Sequence, residues 1–386
     1  MAFRIPNEFI QQQLSTREFV QKELQPYAQE VEDTRQIPPH VLSKMRSRGL
    51  FGATIPKEYG GGGMGKLSFC LIEEELVKAH FAFQDIISLN NGLGSKGLVL
   101  DGSEWLKKKY LPRMASGELI SAFALTEPNA GSDAASITTA AVRQGDYYIL
   151  NGLKHFITNA PIADVFIVIA VTDPQKRVKG GMSAFVVDRD TPGVSIGHIH
   201  EAMGMHGCHK SELIFKDAPV PVTNLIGEEG YGFITAMKTV DDGRMGVAAA
   251  SVGMATSLLD LTVEYAQEAE REGKAIASHQ SVQWLLADMA TELYSARTML
   301  YTTADRIDQG EHDPMQVAMC KLYASEMVNR AVQKATDIIG KEAFRYGSKV
   351  ERILRDSRIL TIFEGTSEIH RIIIGRHLLK GKRPCV

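Results

Sequence analysis

Apolar residues recur at helical spacing through positions 8–33 (Phe9, Leu14, Phe19, Leu24, Tyr27, Val31), which predicts a helix there. Pro38 and Pro39 interrupt the pattern, and it resumes over Val41–Leu50. Tyr59-Gly60-Gly61-Gly62-Gly63 is a flexible stop. A further helix is predicted from Leu67 to about Ala79, and Asp101-Gly102-Ser103-Glu104 opens a short one with a capping-type start. Beyond Glu118 the period changes. Short β-rich runs (147–150, 165–169, 183–187, 212–215) alternate with Gly, Pro, Asn and Asp turns as far as Gly227, the pattern of an antiparallel sandwich or barrel. After Gly230-Tyr231-Gly232 long helical patterns return. One stripe runs Cys320, Ala324, Met327, Ala331, Ala335, Ile338 and stops at Gly340. Small residues over Gly246–Ala255 predict a closely packed helix. The expected class is α+β, with helical residues 1–118, a β module at 119–227 and helices again over 228–386. A β module between helical ones invites a site at the seams.

Composition narrows the function. The 386 residues are 44% hydrophobic and 23% charged, as a globular enzyme requires. A formal charge of -3 and a pI near 6.4 argue against nucleic acid or an anionic membrane surface as partner. No apolar run approaching a bilayer span is expected. The opening MAFRIPNEFIQQQLSTREFV does not read as a secretory signal. Cys70, Cys208, Cys320 and Cys385 form no CxxC pair, which suits reduced thiols in a cytoplasmic (or, in a eukaryote, mitochondrial matrix) setting and offers no zinc or disulfide framework. His206, Cys208 and His209 match no standard metal spacing, so no metal is expected.

Three segments carry candidate chemistry. Phe123-Ala-Leu-Thr-Glu-Pro-Asn-Ala-Gly-Ser-Asp133 reads as a strand entering a turn with hydroxyls at Thr126 and Ser132. Such a turn can aim N–H and O–H groups at an electron-rich ring or phosphate, and the spacing is equally that of an ordinary hairpin. In Lys154-His-Phe-Ile-Thr-Asn-Ala160, strand periodicity puts Phe156 and Thr158 on one face. They could support a flat ring or simply join the core. In Ile362-Phe-Glu-Gly-Thr-Ser-Glu-Ile-His-Arg371, Glu364 follows an apolar stretch and precedes Gly365. Apolar surroundings raise a carboxylate's proton affinity and make it a better base. The plain alternative is an exposed acid before a helix capped by Thr366 or Ser367.

Together, FALTEPNAGSDAASITT, NGLKHFITNA and RDSRILTIFEGTSEIHR, in this order, resemble the acyl-CoA dehydrogenase family. GLFGATIPKEYGG, Lys109-Tyr-Leu-Pro112 and GEEGYGFITAMKTVDDGRMGVAAASVGMA extend the resemblance over nearly the whole chain. LNNGL (89–93), Asp-Gly-Arg (242–244) and the closing EGTSEIHRIIIGRHLL look most like short-chain, butyryl-CoA-type members. The resemblance implies a C-terminal four-helix bundle, a homotetramer, an acyl-CoA substrate, FAD, and an electron-transferring flavoprotein as acceptor. It places Phe123, Leu125, Thr126, Gly131 and Ser132 along the flavin, with Ser132 also near the thioester. Phe156 and Thr158 fall on the ring's other side, where the family usually has tryptophan. Gln280, Asp337, Gly340, Lys341, Thr366 and Glu368 are further cofactor contacts it implies, and Asp241, Arg244 and Gly365 contact the substrate. Members with the base elsewhere carry glutamate just before that arginine; Gly243 stands there, leaving Glu364. The implied chemistry is α-proton removal by Glu364 with β-hydride transfer to flavin N5, giving the trans-2-enoyl thioester.

The chain departs from the family in one region. The arginine and phenylalanine of the usual FAD-contacting stretch fall at Ala269 and Glu272, and the companion loop ends in Gly340-Lys341. Lys341, or Arg271, is the expected replacement for the lost charge; drift in a solvated loop is the alternative. Gly204-Met205-His206-Gly207 also departs from the family's Gly-x-Arg-Gly. Such a chain could act on acyl groups held by a carrier protein, or survive as a flavin-poor acyl-binding paralogue. Substrate chain length is expected to depend on residues around Gln84–Leu98 and Tyr231–Thr239.

Overall fold

A computed structural model describes residues 4–384; Cys385 lies outside them. Seven helices come first: α1 (Asn7–Phe19), α2 (Ala28–Thr34), α3 (Pro39–Ser47), α4 (Lys66–Ala79), α5 (Phe81–Leu89), α6 (Lys96–Asp101) and α7 (Glu104–Ala115). The single helix expected over 8–33 is broken by a π turn at Val20–Leu24 and a 3-10 turn at Gln25–Tyr27. Pro26 is the physical cause, because it has no N–H to donate to the preceding turn. Ser103 caps α7, its hydroxyl accepting from Leu106 N at 3.3 Å.

Eight strands follow: β1 (Ser121–Ala124), β2 (Ala140–Gln144), β3 (Tyr147–Thr158), β4 (Val165–Val171), β5 (Met182–Asp188), β6 (Val194–Ile199), β7 (Lys210–Pro221) and β8 (Leu225–Ile226). They form one sheet in the order β6-β7-β3-β2-β4-β5-β8, with β1 also paired to β4. The sheet is mixed, which corrects the expectation of a purely antiparallel module. β1 and β4 run parallel from Ser121↔Val165 to Ala124↔Val168, and β2 meets β4 in parallel at Ala140↔Val171. The chain leaves β1 through the Thr126 turn and the β2–β3 hairpin, so β4 returns in the original direction.

The C-terminal part has three long helices, α8 (Gly232–Glu268), α9 (Gln280–Asp308) and α10 (Pro314–Ile339), then α11 (Lys349–Ser357) and α12 (Ser367–Leu379). α12 packs on α10 as a fourth member of the bundle. Every residue of the predicted α10 stripe is buried, and Gly340 ends the helix with φ 67°. One expectation fails here: α8 contains an 18-residue window of mean hydropathy 1.4, apolar and long enough to cross a bilayer. That window is 72% buried among the other helices, so its apolar surface is spent on the bundle core.

The three parts meet at Glu32, which is buried on α2. Arg355 of α11, His80 and His206 all surround it. Burial alone would raise its pKa; hydrogen bonds from His80 and Arg355 outweigh that and hold it at about 2.

Candidate active site

Glu364 sits in the loop between α11 and α12 with φ 54°, and Gly365 follows at φ 100°. A left-handed non-glycine residue is held only where its surroundings over-determine it, and three buried groups do so here. Arg244 Nε donates to the Glu364 carbonyl at 3.0 Å, and its Nη1 pairs with Asp241. Lys321 Nζ donates to the Gly365 carbonyl at 2.7 Å. His370 lies under the turn, where a Cβ on Gly365 would stand 3.2 Å from its Nε2. Burial drives the His370 pKa down to about 3, with Lys321 and Arg244 adding to the effect, so the ring is neutral.

The Glu364 carboxyl is what this scaffold presents. Its Oε2 is buried without a hydrogen-bond partner. Loss of water raises its pKa to about 8; Lys321 and Arg244 oppose the rise, and Asp85 and Glu73 add to it. At Gly243 a Cβ would lie 2.6 Å from Oε2. The space beside Gly243, where the resemblance implied an alternative base, is thus filled by the Glu364 carboxylate itself. Thr366 caps α12, accepting from Ile369 N at 3.3 Å, while Glu368 is exposed in its first turn. The helix cap expected of this loop is therefore real, but Glu364 is not the exposed acid of the plain alternative.

A narrow cleft adjoins Glu364, between the Phe81, Gln84, Asp85, Ser88 face of α5 and Gly243, Val247, Ala250 of α8. The 84–98 stretch thus contributes as expected. Residues 231–239 do not line the cleft; the next turns of α8 do, because the helix turns its first residues toward the sheet. Leu89 and Leu93 also line it, and Phe123 packs against that pair. This contact joins the β1 segment to the Glu364 segment.

The first two sequence segments meet directly, since His155 N donates to the Thr126 carbonyl at 2.8 Å. Behind them lies an ion pair that sequence reasoning missed. Lys154 Nζ reaches Glu127 Oε1 at 2.8 Å and the Leu125 carbonyl at 3.0 Å. Glu127 also accepts from Thr138 N at 2.7 Å and Thr139 N at 2.9 Å. The signal was present: Tyr148, Leu150, Gly152 and Lys154 follow one strand face inward. β3 then bulges between Lys154 and Ile157, and Phe156 has φ 55°. The strict two-residue period expected there is broken, yet Phe156 (exposed) and Thr158 (half-buried) still flank the buried Ile157.

The partly uncovered strip of Phe123, Leu125, Thr126, Phe156 and Thr158 has three apolar side chains and two hydroxyls. It runs to Gly131 and Ser132, both exposed, with open space around Gly131. A flat amphipathic ring with a phosphate tail fits such a surface, so the residues present suit FAD. Gln280, Asp337, Gly340 and Lys341 are not brought to it. They lie at the far end of the bundle, with Ile339 about 27 Å along α10 from Lys321 at about 1.5 Å per residue. Exposed Trp284, Phe344 and Tyr346 lie close in sequence to that end, an apolar surface of the kind a second subunit covers. Of the histidines and cysteine considered for a metal, His206 faces Glu32, Cys208 faces Asp85, and the His209 carbonyl accepts from Asn159 N. A different trio, His155, His200 and Glu212, brings ligand atoms within 4.8 Å of one another.

Comparison with known proteins agrees with this geometry. The N-terminal, middle and C-terminal domain models of acyl-CoA dehydrogenase match residues 7–118, 122–218 and 230–379. The caffeyl-CoA reductase–Etf complex subunit CarC of Acetobacterium woodii is 42% identical, over 94% of this chain and 96% of its own. The structure of butyryl-CoA dehydrogenase from Megasphaera elsdenii superposes with a TM-score of 0.95 at 35% identity, covering 98% of this chain and 100% of that one. A structure of PigA with FAD and proline gives a TM-score of 0.95 at 33% identity, covering 99% and 100%.

Proposed function

Because this chain belongs to the acyl-CoA dehydrogenase family, FAD-dependent oxidoreductases acting on CH–CH bonds, we propose that it dehydrogenates a short acyl thioester between Cα and Cβ with Glu364 as the α-proton base. The observation that carries the assignment is the buried, unpartnered Glu364 Oε2 at the mouth of the α5–α8 cleft. When bound, FAD supplies the hydride acceptor for the β-carbon.

A thioester α-proton is too weakly acidic for a carboxylate unless negative charge on the carbonyl oxygen is stabilised as it forms. The Glu364 N–H is the donor this reading assigns to that oxygen, in a loop whose two carbonyls are held by Arg244 and Lys321. Arg244 and Asp241 frame the approach of the thioester, and Gly365 lets it pass close to the backbone. Ser132 and the Thr126 turn, braced by Lys154 and Glu127, position the cofactor side. Phe81, Val247 and Ala250 exclude water from the acyl chain. Electrons then leave to an electron-transferring flavoprotein, a reading supported by the Etf-complex relative. The apolar far end of the bundle supports a homo-oligomer in which a neighbouring subunit's Gln280, Asp337, Gly340 and Lys341 complete the FAD site.

The test is an anaerobic titration of the flavin-loaded protein with butyryl-CoA, followed in the visible spectrum. Bleaching in the native protein, lost in Glu364→Gln, is expected. A flavin that neither CoA nor carrier-bound thioesters reduce would refute the assignment.

A further inference from the structure

The acyl end of the cleft is not built for a plain hydrocarbon. Phe81, Gln84, Asp85 and Ser88 occupy one face of α5 at helical spacing, so two polar side chains and a carboxylate share the wall with one aromatic ring. Asp85 is only 6% exposed and its Oδ2 has no hydrogen-bond partner. Behind this wall stands Glu73 of α4, fully buried, whose Oε1 accepts from Gln84 Nε2 at 3.0 Å while Oε2 has no partner. A Cβ on Gly246 of α8 would lie 2.5 Å from Ser88 Oγ and 2.8 Å from Glu73 Oε1, so that helix closes tightly over the pair.

The neighbours of Glu73 show what is missing. Glu73, Glu74 and Glu75 are consecutive and all buried. Glu74 is paired with Arg297 and Tyr301, and Glu75 with Arg17 at 2.9 Å and Lys78 at 2.8 Å. Glu73 has no bonded cation, because the nearby Lys66 ammonium is taken by Asp242 at 2.7 Å. Asp85 takes a weak hydrogen bond from the Cys208 thiol and feels Lys210 at a distance, and it forms no ion pair. Burial raises the proton affinity of both acids. Two buried carboxyls with free oxygens are costly unless something supplies donors. The Gln84 NH2 donates to Glu73, so that amide has its carbonyl oxygen left to serve as another acceptor.

We propose that the acyl group taken by this enzyme ends in a protonated amine, bound by Asp85 and the Gln84 carbonyl with Glu73 behind them. The inference rests on the thioester-dehydrogenase reading above and names its substrate class. An ammonium brings three donors and one positive charge, matching the acceptors and the uncompensated acids. A hydrocarbon tail leaves Asp85 desolvated and unpaired, and an acidic tail adds like charge.

The experiment uses the flavin-loaded enzyme with 5-aminopentanoyl-CoA, hexanoyl-CoA of matching length, 5-hydroxypentanoyl-CoA and glutaryl-CoA. Flavin bleaching is followed anaerobically, and the corresponding 2-enoyl-CoA products are titrated by calorimetry to read binding without redox chemistry. The amine is expected to exceed hexanoyl-CoA by about 10,000-fold in kcat/KM, with glutaryl-CoA poorest, as for a site built to bond a substrate NH. Asp85→Leu should reverse the order toward hexanoyl-CoA. The isosteric Asp85→Asn and Glu73→Gln, which preserve packing, should each erode the amine preference. Hexanoyl-CoA or the neutral hydroxyl compound equalling the amine in the native enzyme would overturn the proposal, as would an amine preference unchanged in Asp85→Leu. Tight binding of the amine product with no thioester bleaching the flavin would refute the dehydrogenase reading and leave the amine selectivity standing.

Discussion

Glu364 and Glu127 are the same side chain on two sides of one site, and they have opposite fates. Glu127 is 5% exposed but saturated. Burial alone would raise its pKa, yet Lys154 and the Thr138–Thr139 hydrogen bonds hold it at about 2. Lys154 is itself drawn down to about 8 by burial, against the pull of Glu127, so the pair is ionised near neutral pH. Glu364 has cations nearby, but Arg244 donates to the Glu364 carbonyl and to Asp241, and Lys321 donates to the Gly365 carbonyl. Its carboxylate is left with a free oxygen and a pKa of about 8. A buried acid whose partners bond its carboxylate is a brace; one whose partners bond only its backbone is a reagent.

The largest expected effects break that contrast directly. Glu364→Gln should slow flavin reduction by about 100-fold to 10,000-fold, the usual weight of a general base, with flavin content unchanged in the absorption spectrum. Lys154→Met should instead unfold easily, losing about 3–5 kcal/mol in a urea titration, because it strands the Glu127 charge in the interior. Gly243→Ala, which forces the Glu364 carboxyl to move, should lower the reduction rate by about 10-fold or more at unchanged flavin content.

Smaller effects sharpen the comparison through pH. Glu364 binds its proton more tightly folded than unfolded, so its contribution to stability is present below about pH 4.5 and is lost as pH rises through about 8. Glu127 behaves oppositely: its contribution is present above about pH 4.5 and is lost as pH falls toward 2. Glu364→Gln should therefore melt higher than the native protein at pH 9, with the difference shrinking toward pH 5, as calorimetry would show. The smallest effect belongs to Lys341→Ala, expected to loosen FAD retention on gel filtration only where subunits associate; unchanged flavin content would remove Lys341 from the cofactor site.

Much of this was legible in the sequence because it rests on short-range patterns. The change of period near Glu118, the stripe ending at Gly340 and the apolar run before Glu364 each declare themselves within a dozen residues. What escaped depends on distant partners. Lys321 follows Cys320 in an apolar helix, and only the fold shows that it reaches Gly365. The run Glu73-Glu74-Glu75 looks like a solvated face, but α4 is enclosed on all sides, and each acid needs a partner from elsewhere in the chain. The β3 bulge that re-aims Phe156 and the parallel β1–β4 pairing are likewise tertiary facts. The separation of Lys341 from Glu364 follows from the length of α10, which no motif encodes.

The most direct test of the central claim isolates proton abstraction from hydride transfer. The flavin-loaded enzyme would be incubated in D2O with an acyl-CoA whose β-carbon is replaced by sulfur, and α-hydrogen exchange followed by NMR across pH 6 to 10. Such a substrate can lose its α-proton but cannot be dehydrogenated. Exchange is expected whose kcat/KM rises with a midpoint near pH 8 and which disappears in Glu364→Gln. Exchange that persists in that variant would show that another group removes the proton, and Glu364 would lose its role as base.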